Sequence, residues 1–149
     1  RQVPQLGCII YDMEMKKAVL DSLFLLNQSP QHLQYSLSDF NRYIIYPIMH
    51  DKIRIFYDSN EKPIALVTWA WLDEHLAESF LEGDYALEEE DYIPTTGSQL
   101  WGIEFVSPYG NTLKVMREMR KVSHSLYGKG HEVHWRRLSN PTKSHTGAF

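Results

Sequence analysis

The strongest constraint on the fold is a pair of apolar segments that flank a short polar turn. The first segment, "KIRIFY", is rich in β-branched and aromatic residues, and the second, Ile64 to Leu72, is nearly continuous in apolar residues. Between them lies "DSNEKP", residues 58 to 63, which is rich in turn-forming residues. This pattern predicts a β-hairpin. Because an unbroken apolar run suits a strand that is buried on both faces, the second strand is predicted to lie at the centre of a sheet.

Two more strands are predicted downstream of the hairpin. They are "QLWGIEFVSP", residues 99 to 108, and "HEVHWRRL", residues 131 to 138. The tail from residue 139 onward is predicted to be a loop. Since helical segments precede and separate the strands, we expect an α/β or α+β fold, a single domain over residues 1–149 with a mixed central sheet flanked by helices.

The segments around the strands show the spacing of helices. Residues 14 to 29 carry one apolar residue per helical turn, and residues 29 to 50 predict one or two further helices, with Pro47 marking an end. Residues 74 to 98 are acidic and predict a short helix followed by an exposed loop.

The helix predicted over residues 112 to 127 has candidate caps and a basic face. Asn111 can cap its start and Gly128 can end it. A basic run of this kind is usually the solvated face of an amphipathic helix, but it can also dock an acidic partner. The basic residues are Lys114, Arg117, Arg120 and Lys121.

Composition narrows the class of protein. Hydrophobic residues make up 43% of the 149 residues and charged residues 23%, which is typical of a globular protein. With Cys8 as the one cysteine, neither an internal disulfide nor a cysteine-based zinc site can form, so we expect a reducing, cytoplasmic setting. The first ten residues lack the apolar core of a signal peptide. A net charge of −4 argues against a nucleic-acid partner.

His32 lies in "SPQH", a helix-start signature. Ser29 would be the N-cap, Pro30 the first helical residue and His32 the third position. Such a histidine is most often structural or solvated. A catalytic role is the alternative, because the positive end of a helix disfavours imidazolium and so favours the neutral form that a general base needs.

Glu104 is the second candidate, because it is a carboxylate within an otherwise apolar and aromatic strand. One explanation is that this face of the strand is open to solvent. The other is a buried carboxylate that orients a histidine, since burial of an unpaired charge is costly.

Two further classes of site find little support in the sequence. His131 and His134 have no acidic or cysteine partner at ligand spacing, so no metal site is predicted. The turn "SPYGN" before the last helix contains one glycine, whereas the pyrophosphate of coenzyme A is bound by a glycine-rich loop at a helix start. A diphosphate cradle is therefore not expected.

Taken in order, four segments resemble the toxin-activating lysine acyltransferases, the hemolysin-activating enzymes that attach fatty acyl chains to lysines of RTX protoxins. The resemblance extends over about residues 20 to 147. The family patterns are S-P-x-H, a hairpin with [ST]-W-A, W-x-I-D-W-I-A-P-F, and a basic strand followed by P-K-T-H-x-G. The corresponding residues are Ser29–His32, Pro63 with Thr68–Ala70, Trp101–Tyr109, and Arg137 with Pro141–Gly147.

This resemblance implies a GNAT-like fold and an enzyme without a bound cofactor that takes its acyl group from acyl carrier protein. The family's essential histidine corresponds to His32, its catalytic aspartate to Glu104 and its motif serine to Ser29. The resemblance thus implies that His32 is the general base, with Glu104 behind it. Ser29 could be a nucleophile, but its place at the predicted helix start favours capping of the helix that presents His32. The implied partners are an RTX protoxin, acyl carrier protein docked on the basic helix, and a second copy of the chain in a homodimer.

Three functions are consistent with these features. The first is protoxin lysine acylation, by direct attack of the lysine or through an acyl-enzyme. The second is a GNAT-type acyl-CoA N-acyltransferase that acts on a small amine. The third is a non-catalytic binding module on the same fold.

Overall fold

A computed structural model describes residues 6–136 and 144–149 of the chain, and the side chains from residue 14 onward except those of residues 144 and 145. Its centre is a five-stranded sheet in the order β1-β2-β3-β4-β5. The strands are β1 (Ile53–Tyr57), β2 (Pro63–Leu72), β3 (Gln99–Val106), β4 (Glu132–Arg136) and β5 (Ser144–Ala148). All neighbours are antiparallel except β3 and β4, which are parallel. The predicted hairpin, central strand and mixed sheet are confirmed.

Helices cover both faces of this sheet, in agreement with a GNAT-like α/β domain. The α-helices are α1 (Leu6–Asn27), α2 (Leu37–Phe40), α3 (Tyr46–Met49), α4 (Glu74–Glu82) and α5 (Thr112–Tyr127). Short 3-10 turns occur at Pro30–His32 and Glu89–Tyr92. None of the helices that the structure describes is long and apolar enough to cross a bilayer.

Pro47 does not end its helix, contrary to the prediction. A π-helical turn, Asn41–Ile45, joins α2 to α3, and the helical path continues to Met49. The π turn widens the hydrogen-bond register by one residue, so Pro47 falls in the first turn of α3. At that position its missing N–H is not needed and its fixed φ suits a helix.

The chain after residue 143 is a strand and not the predicted loop. In β5, Thr146 pairs with His134 and Gly147 with Val133 of β4. A Cβ atom on Gly147 would lie 3.2 Å from the ring of Trp135, so glycine lets that ring lie against the strand. The segment was missed because "SHTGA" has little strand propensity of its own and gains its structure from pairing. Arg137 and Pro141–Lys143, which carried part of the family resemblance, lie outside the described residues.

The acidic segment after α4 is anchored to the core, although it was predicted to be exposed. Leu87 and Tyr92 are fully buried and pack with Phe80 of α4 and Trp101 of β3. The acidic residues between them face outward. Leu87 and Tyr92 therefore anchor the loop. The sequence did not indicate this, because most of the neighbouring residues are acidic.

The ends of α5 differ in how well they match the prediction. Asn111 occupies the position before the helix but makes no capping hydrogen bond. Its ψ of 24° departs from the extended conformation in which a cap side chain reaches back to the helix N–H groups. At the other end Gly128, with φ 85°, donates its N–H to the carbonyl of His124 at 3.0 Å, which confirms it as the helix stop.

Candidate active site

Three buried polar side chains form a continuous hydrogen-bonded chain on the face of the sheet opposite α5. Nδ1 of His32 lies 2.6 Å from Oγ of Ser29, and Nε2 lies 2.9 Å from Oε2 of Glu104. Ser29, His32 and Glu104 are 5%, 7% and 8% exposed. His32 and Glu104, the two candidates from the sequence, are 72 residues apart in the chain but are hydrogen-bonded in the structure. The alternative of a solvent-facing Glu104 is excluded.

The predicted capping role of Ser29 is wrong. Pro30–His32 is a single 3-10 turn, and the N–H of His32, which a cap would accept, donates to the carbonyl of Ser29 at 2.9 Å. The hydroxyl is therefore free to contact the imidazole ring. Since a three-residue turn carries little dipole, the helix-terminus argument for a neutral His32 does not apply either.

The hydrogen-bond network assigns the imidazole tautomer. An ionised Glu104 can only accept, so the proton of neutral His32 sits on Nε2 and Ser29 donates to Nδ1. When Nδ1 is protonated it donates instead, and the serine hydroxyl can turn to Oε1 of Gln31, 3.0 Å away. Ser29 can therefore satisfy both protonation states of the ring.

Glu104 is held in place by two further contacts. The hydroxyl of Tyr35 donates to its second oxygen, Oε1, and its backbone N–H donates to Oγ1 of the fully buried Thr68 at 3.0 Å. Burial, reinforced by the charge of Glu104, raises the pKa of Tyr35 well above its usual range, so Tyr35 remains a donor. Sequence reasoning missed Tyr35, although its position three residues after His32 was a signal that the two side chains lie close.

A β-bulge in β3 aims Glu104 at His32. Thr68 of β2 pairs with Glu104, but Trp69 pairs with Gly102, so Ile103 is the extra residue. In a regular strand Glu104 would share the face of Leu100, which packs against α5. The bulge reverses the alternation and turns the carboxylate to the opposite face, a use of bulges that is frequent beside active sites.

A largely apolar cavity of about 620 Å³ lies between the sheet and α5 and reaches β3 at Glu104. It runs along the helix from Thr112 to Tyr127, and Met116 and Met119 lie on its wall. β3 and β4 pair at only two positions, near the start of β3, and the cavity borders Glu104 beyond them. Its size is within the usual range for pockets that enclose a small ligand.

A model of the RTX toxin acyltransferase family (HlyC) matches residues 12–145 of the chain, which include the whole of this site. The chain belongs to the RTX toxin acyltransferase family. The predicted resemblance is therefore confirmed.

Individual relatives agree with this assignment. Over 104 residues the chain is 24% identical to the lysine-acyltransferase RtxC of Vibrio cholerae, covering 69% of this chain and 67% of that protein. It is 31% identical over 98 residues to the RTX-III toxin-activating lysine-acyltransferase ApxIIC of Actinobacillus pleuropneumoniae, covering 66% of this chain and 55% of the relative. An uncharacterized Synechocystis protein, sll0720, is 22% identical over 105 residues, 70% of each chain.

In this member of the RTX toxin acyltransferase family, the basic residues of α5 stand apart from the buried chain. Lys114, Arg117, Arg120 and Lys121 are exposed, on the side of the helix opposite the buried Val115 and Met119. Lys121 pairs with Glu118 at 3.1 Å. The residues form an accessible cationic surface.

Three other histidines of this family member make local contacts. His50 pairs with Glu89 at 2.9 Å, and Nε2 of His131 donates to the carbonyl of Tyr127 at 2.6 Å. His134 stacks on Trp101. Within residues 6–136 and 144–149, no three histidine, cysteine or acidic side chains are grouped so that they could hold a metal ion.

If the lysine attacks directly, replacing Ser29 with alanine is expected to slow acyl transfer by about 100-fold, the low end of what a positioned proton-transfer group contributes, whereas loss of all activity would make Ser29 the nucleophile. The free energy of unfolding should fall by about 1 kcal/mol, the net value of one hydrogen bond. Single-turnover rates and thermal melts of Ser29→Ala and Ser29→Thr, which keeps the hydroxyl, check both values. An alanine variant with the wild-type rate would leave Ser29 with a structural role only.

Proposed function

We propose that the protein is a protein-lysine fatty acyltransferase that moves an acyl chain from acyl carrier protein to an internal lysine of an RTX protoxin. The observation that carries this proposal is the buried Ser29–His32–Glu104 chain, together with an apolar cavity that reaches β3 at Glu104. Two of the three relatives are named as lysine-acyltransferases, which supports the same reaction.

The chemistry requires a base. A lysine side chain has a reference pKa near 10.4, so its amine is almost wholly protonated at neutral pH and must lose a proton to attack a thioester. His32 receives that proton and Glu104, 2.9 Å away, stabilises the imidazolium that forms. The new amide bond forms as the carbon–sulfur bond breaks. Of the two protons that the lysine ammonium loses, one passes through His32 to the departing thiolate and the other is released to solvent.

The path of the proton runs through Ser29. Nε2 of His32 is engaged by Glu104, so the basic nitrogen is Nδ1, which faces the serine hydroxyl at 2.6 Å. In direct transfer, Ser29 gives its proton to Nδ1 and takes one from the lysine. In a two-step route, Ser29 attacks the thioester, forms an ester and then yields the acyl group to the lysine. Both routes use the same contact.

The cavity beside α5 would hold the acyl chain. Its walls are mainly apolar, and it extends from the Glu104 end of the sheet along the whole helix. A flexible hydrocarbon chain gains free energy by leaving water for such a surface. Placing the chain there brings its carbonyl end toward Glu104 and the bulge at Ile103.

Acyl carrier protein is the donor we propose, ahead of acyl-CoA. The turn between β3 and α5 has one glycine, Gly110, and so lacks a glycine-rich cradle for a diphosphate. The exposed cations of α5 offer an acidic carrier protein a docking surface. The docking of acyl carrier protein on the basic residues of α5 remains a prediction, as does the formation of a homodimer.

A mass measurement tests the proposal against its two alternatives. A protoxin fragment is incubated with the protein and either acyl-ACP or acyl-CoA, and its intact mass is recorded. We expect the mass of the fragment to increase by one acyl group when acyl-ACP is the donor, and to stay unchanged when acyl-CoA is the donor. Acylation with acyl-CoA alone would favour the acyl-CoA enzyme, and no increase with either donor would favour the non-catalytic module.

A further inference from the structure

A second cavity, of about 540 Å³, lies where the start of β1, the end of β2 and the end of α5 meet. It adjoins the first cavity, because Leu126 and Tyr127 line both. None of Ser29, His32 and Glu104 lines it. We name it the Lys52 cavity, after the buried lysine on its wall.

Lys52 is 4% exposed and forms no ion pair with a described carboxylate, although the charge of the neighbouring Asp51 acts on it. Its ammonium group donates to the carbonyl of His50 at 3.3 Å, and no carboxylate of the described side chains lies within ion-pair distance. The two nearby acids are engaged elsewhere, Asp51 by Arg54 and Glu89 by His50, each at 2.9 Å. Burial lowers the pKa of Lys52 from its usual value. A buried cation without an anion is costly, so this residue calls for a counterion.

Trp71 lies on the same wall and can report on what the cavity binds. Its indole is 7% exposed, and Nε1–H has no acceptor among the described residues. The ring is fixed by edge-on contacts with Tyr127 and His131, at centroid distances of 5.2 and 5.5 Å. Nε1 has almost no accessible surface, so Trp71 bounds the cavity without offering its N–H to a ligand there.

Asp51 also lines the cavity, with its carboxylate paired to Arg54, and the rest of the lining adds polar groups that can donate. Nε2 of His131 is committed to the carbonyl of Tyr127, which leaves Nδ1 as a donor whenever the ring is charged. Thr95 and Thr96 add two hydroxyl groups at the exposed side. These donors suit a phosphate group, whose oxygens can accept hydrogen bonds from several of them at once.

We propose that the Lys52 cavity binds a phosphate group, with the Lys52 ammonium as its buried donor. The group is either free phosphate or the phosphate of a larger molecule. The proposal is independent of the acyl-transfer chemistry, and its test needs no measurement of activity.

The direct test is a titration of ¹⁵N-labelled protein with inorganic phosphate at constant ionic strength, set by chloride. The indole signal of Trp71, identified by its loss in Trp71→Phe, is expected to shift in a saturable way, while the signals of Trp69 and Trp101 stay in place. A Trp71 signal that does not move, or that moves linearly without saturation, would overturn the proposal.

Variants of Lys52 and of an exposed lysine provide a second test of phosphate binding. Lys52→Met is expected to weaken phosphate binding at least about tenfold, since a hydrogen bond to a charged group is worth more than 1.4 kcal/mol. Lys129→Met, which removes an exposed charge near the same end of the molecule, should bind like wild type. Equal affinity in Lys52→Met and wild type would contradict the proposal. If Lys52→Met does not fold, the wild-type titration decides.

An alkyl monophosphate separates the two sources of the phosphate group. Because the two cavities adjoin at Leu126 and Tyr127, an attached alkyl chain can lie in the apolar one. Binding at least tenfold tighter than that of inorganic phosphate would assign the site to the head of an amphiphile. Equal affinity would assign it to free phosphate.

Discussion

Replacing His32 with alanine is expected to reduce acyl transfer by at least about 10⁴-fold, the upper end of the contribution of a general base. The imidazole ring of His32 is both the base and the group that links Ser29 to Glu104, so both roles are lost. The variant should also be less stable, because a buried hydroxyl and a buried carboxylate each lose a partner, at about 1–3 kcal/mol for a buried group left unsatisfied. Single-turnover acylation of a protoxin fragment measures the rate, and thermal unfolding measures the stability.

Two variants keep this experiment interpretable. His32→Gln retains an amide that can hydrogen-bond within the buried site but cannot act as a base, so it should be nearly as inactive as His32→Ala and more stable. His75→Ala, at an exposed histidine of α4, controls for the loss of a histidine and should keep the wild-type rate. If His32→Gln transferred acyl groups at the wild-type rate, His32 would not be the base.

Replacing Glu104 with glutamine is expected to slow acyl transfer by roughly 10²- to 10⁴-fold. The amide has no charge to stabilise the imidazolium. It also presents an NH₂ group that can donate to Nε2 of His32, which would place the ring proton on Nδ1, facing Ser29. That tautomer has no basic nitrogen toward the hydroxyl, so both the charge and the orientation of the base are lost.

Glu104→Asp is the matched control for charge. It restores the aspartate of the family pattern and keeps the carboxylate, so its loss should be the smaller of the two. The shorter side chain must still reach both His32 and Tyr35, so we do not expect full activity. Circular dichroism should show both variants folded. A glutamine variant as active as wild type at every pH measured would make Glu104 a structural carboxylate.

The sequence indicated that His32 and Glu104 belong to the site, but not how their side chains are oriented. His32 stood in a recognisable motif, and a carboxylate in an apolar strand is conspicuous because its burial needs a partner. The face on which Glu104 lies depends on the bulge at Ile103, and no turn signal marks that residue. Strict alternation would have placed the carboxylate beside α5, away from His32.

Errors elsewhere have the same origin, a tertiary contact that local patterns do not contain. Ser29 was predicted as a cap because a full helix was assumed after it, whereas the chain makes a single 3-10 turn there. The strand at Ser144–Ala148 exists because β4 offers it an edge. Lys52 gave no signal at all, since nothing local shows that a lysine between a helix and a strand is buried.

The most direct test of the account is a double-mutant cycle on acyl transfer to the protoxin lysine. Single-turnover rates are measured for wild type, His32→Gln, Glu104→Gln and the double variant, with the acylated lysine confirmed by peptide mass spectrometry. If His32 and Glu104 act as one unit, the double variant should be about as slow as His32→Gln alone, because groups that act together are strongly non-additive. Losses that multiply, so that the double variant is slower by the product of the two single effects, would show that the two residues act independently.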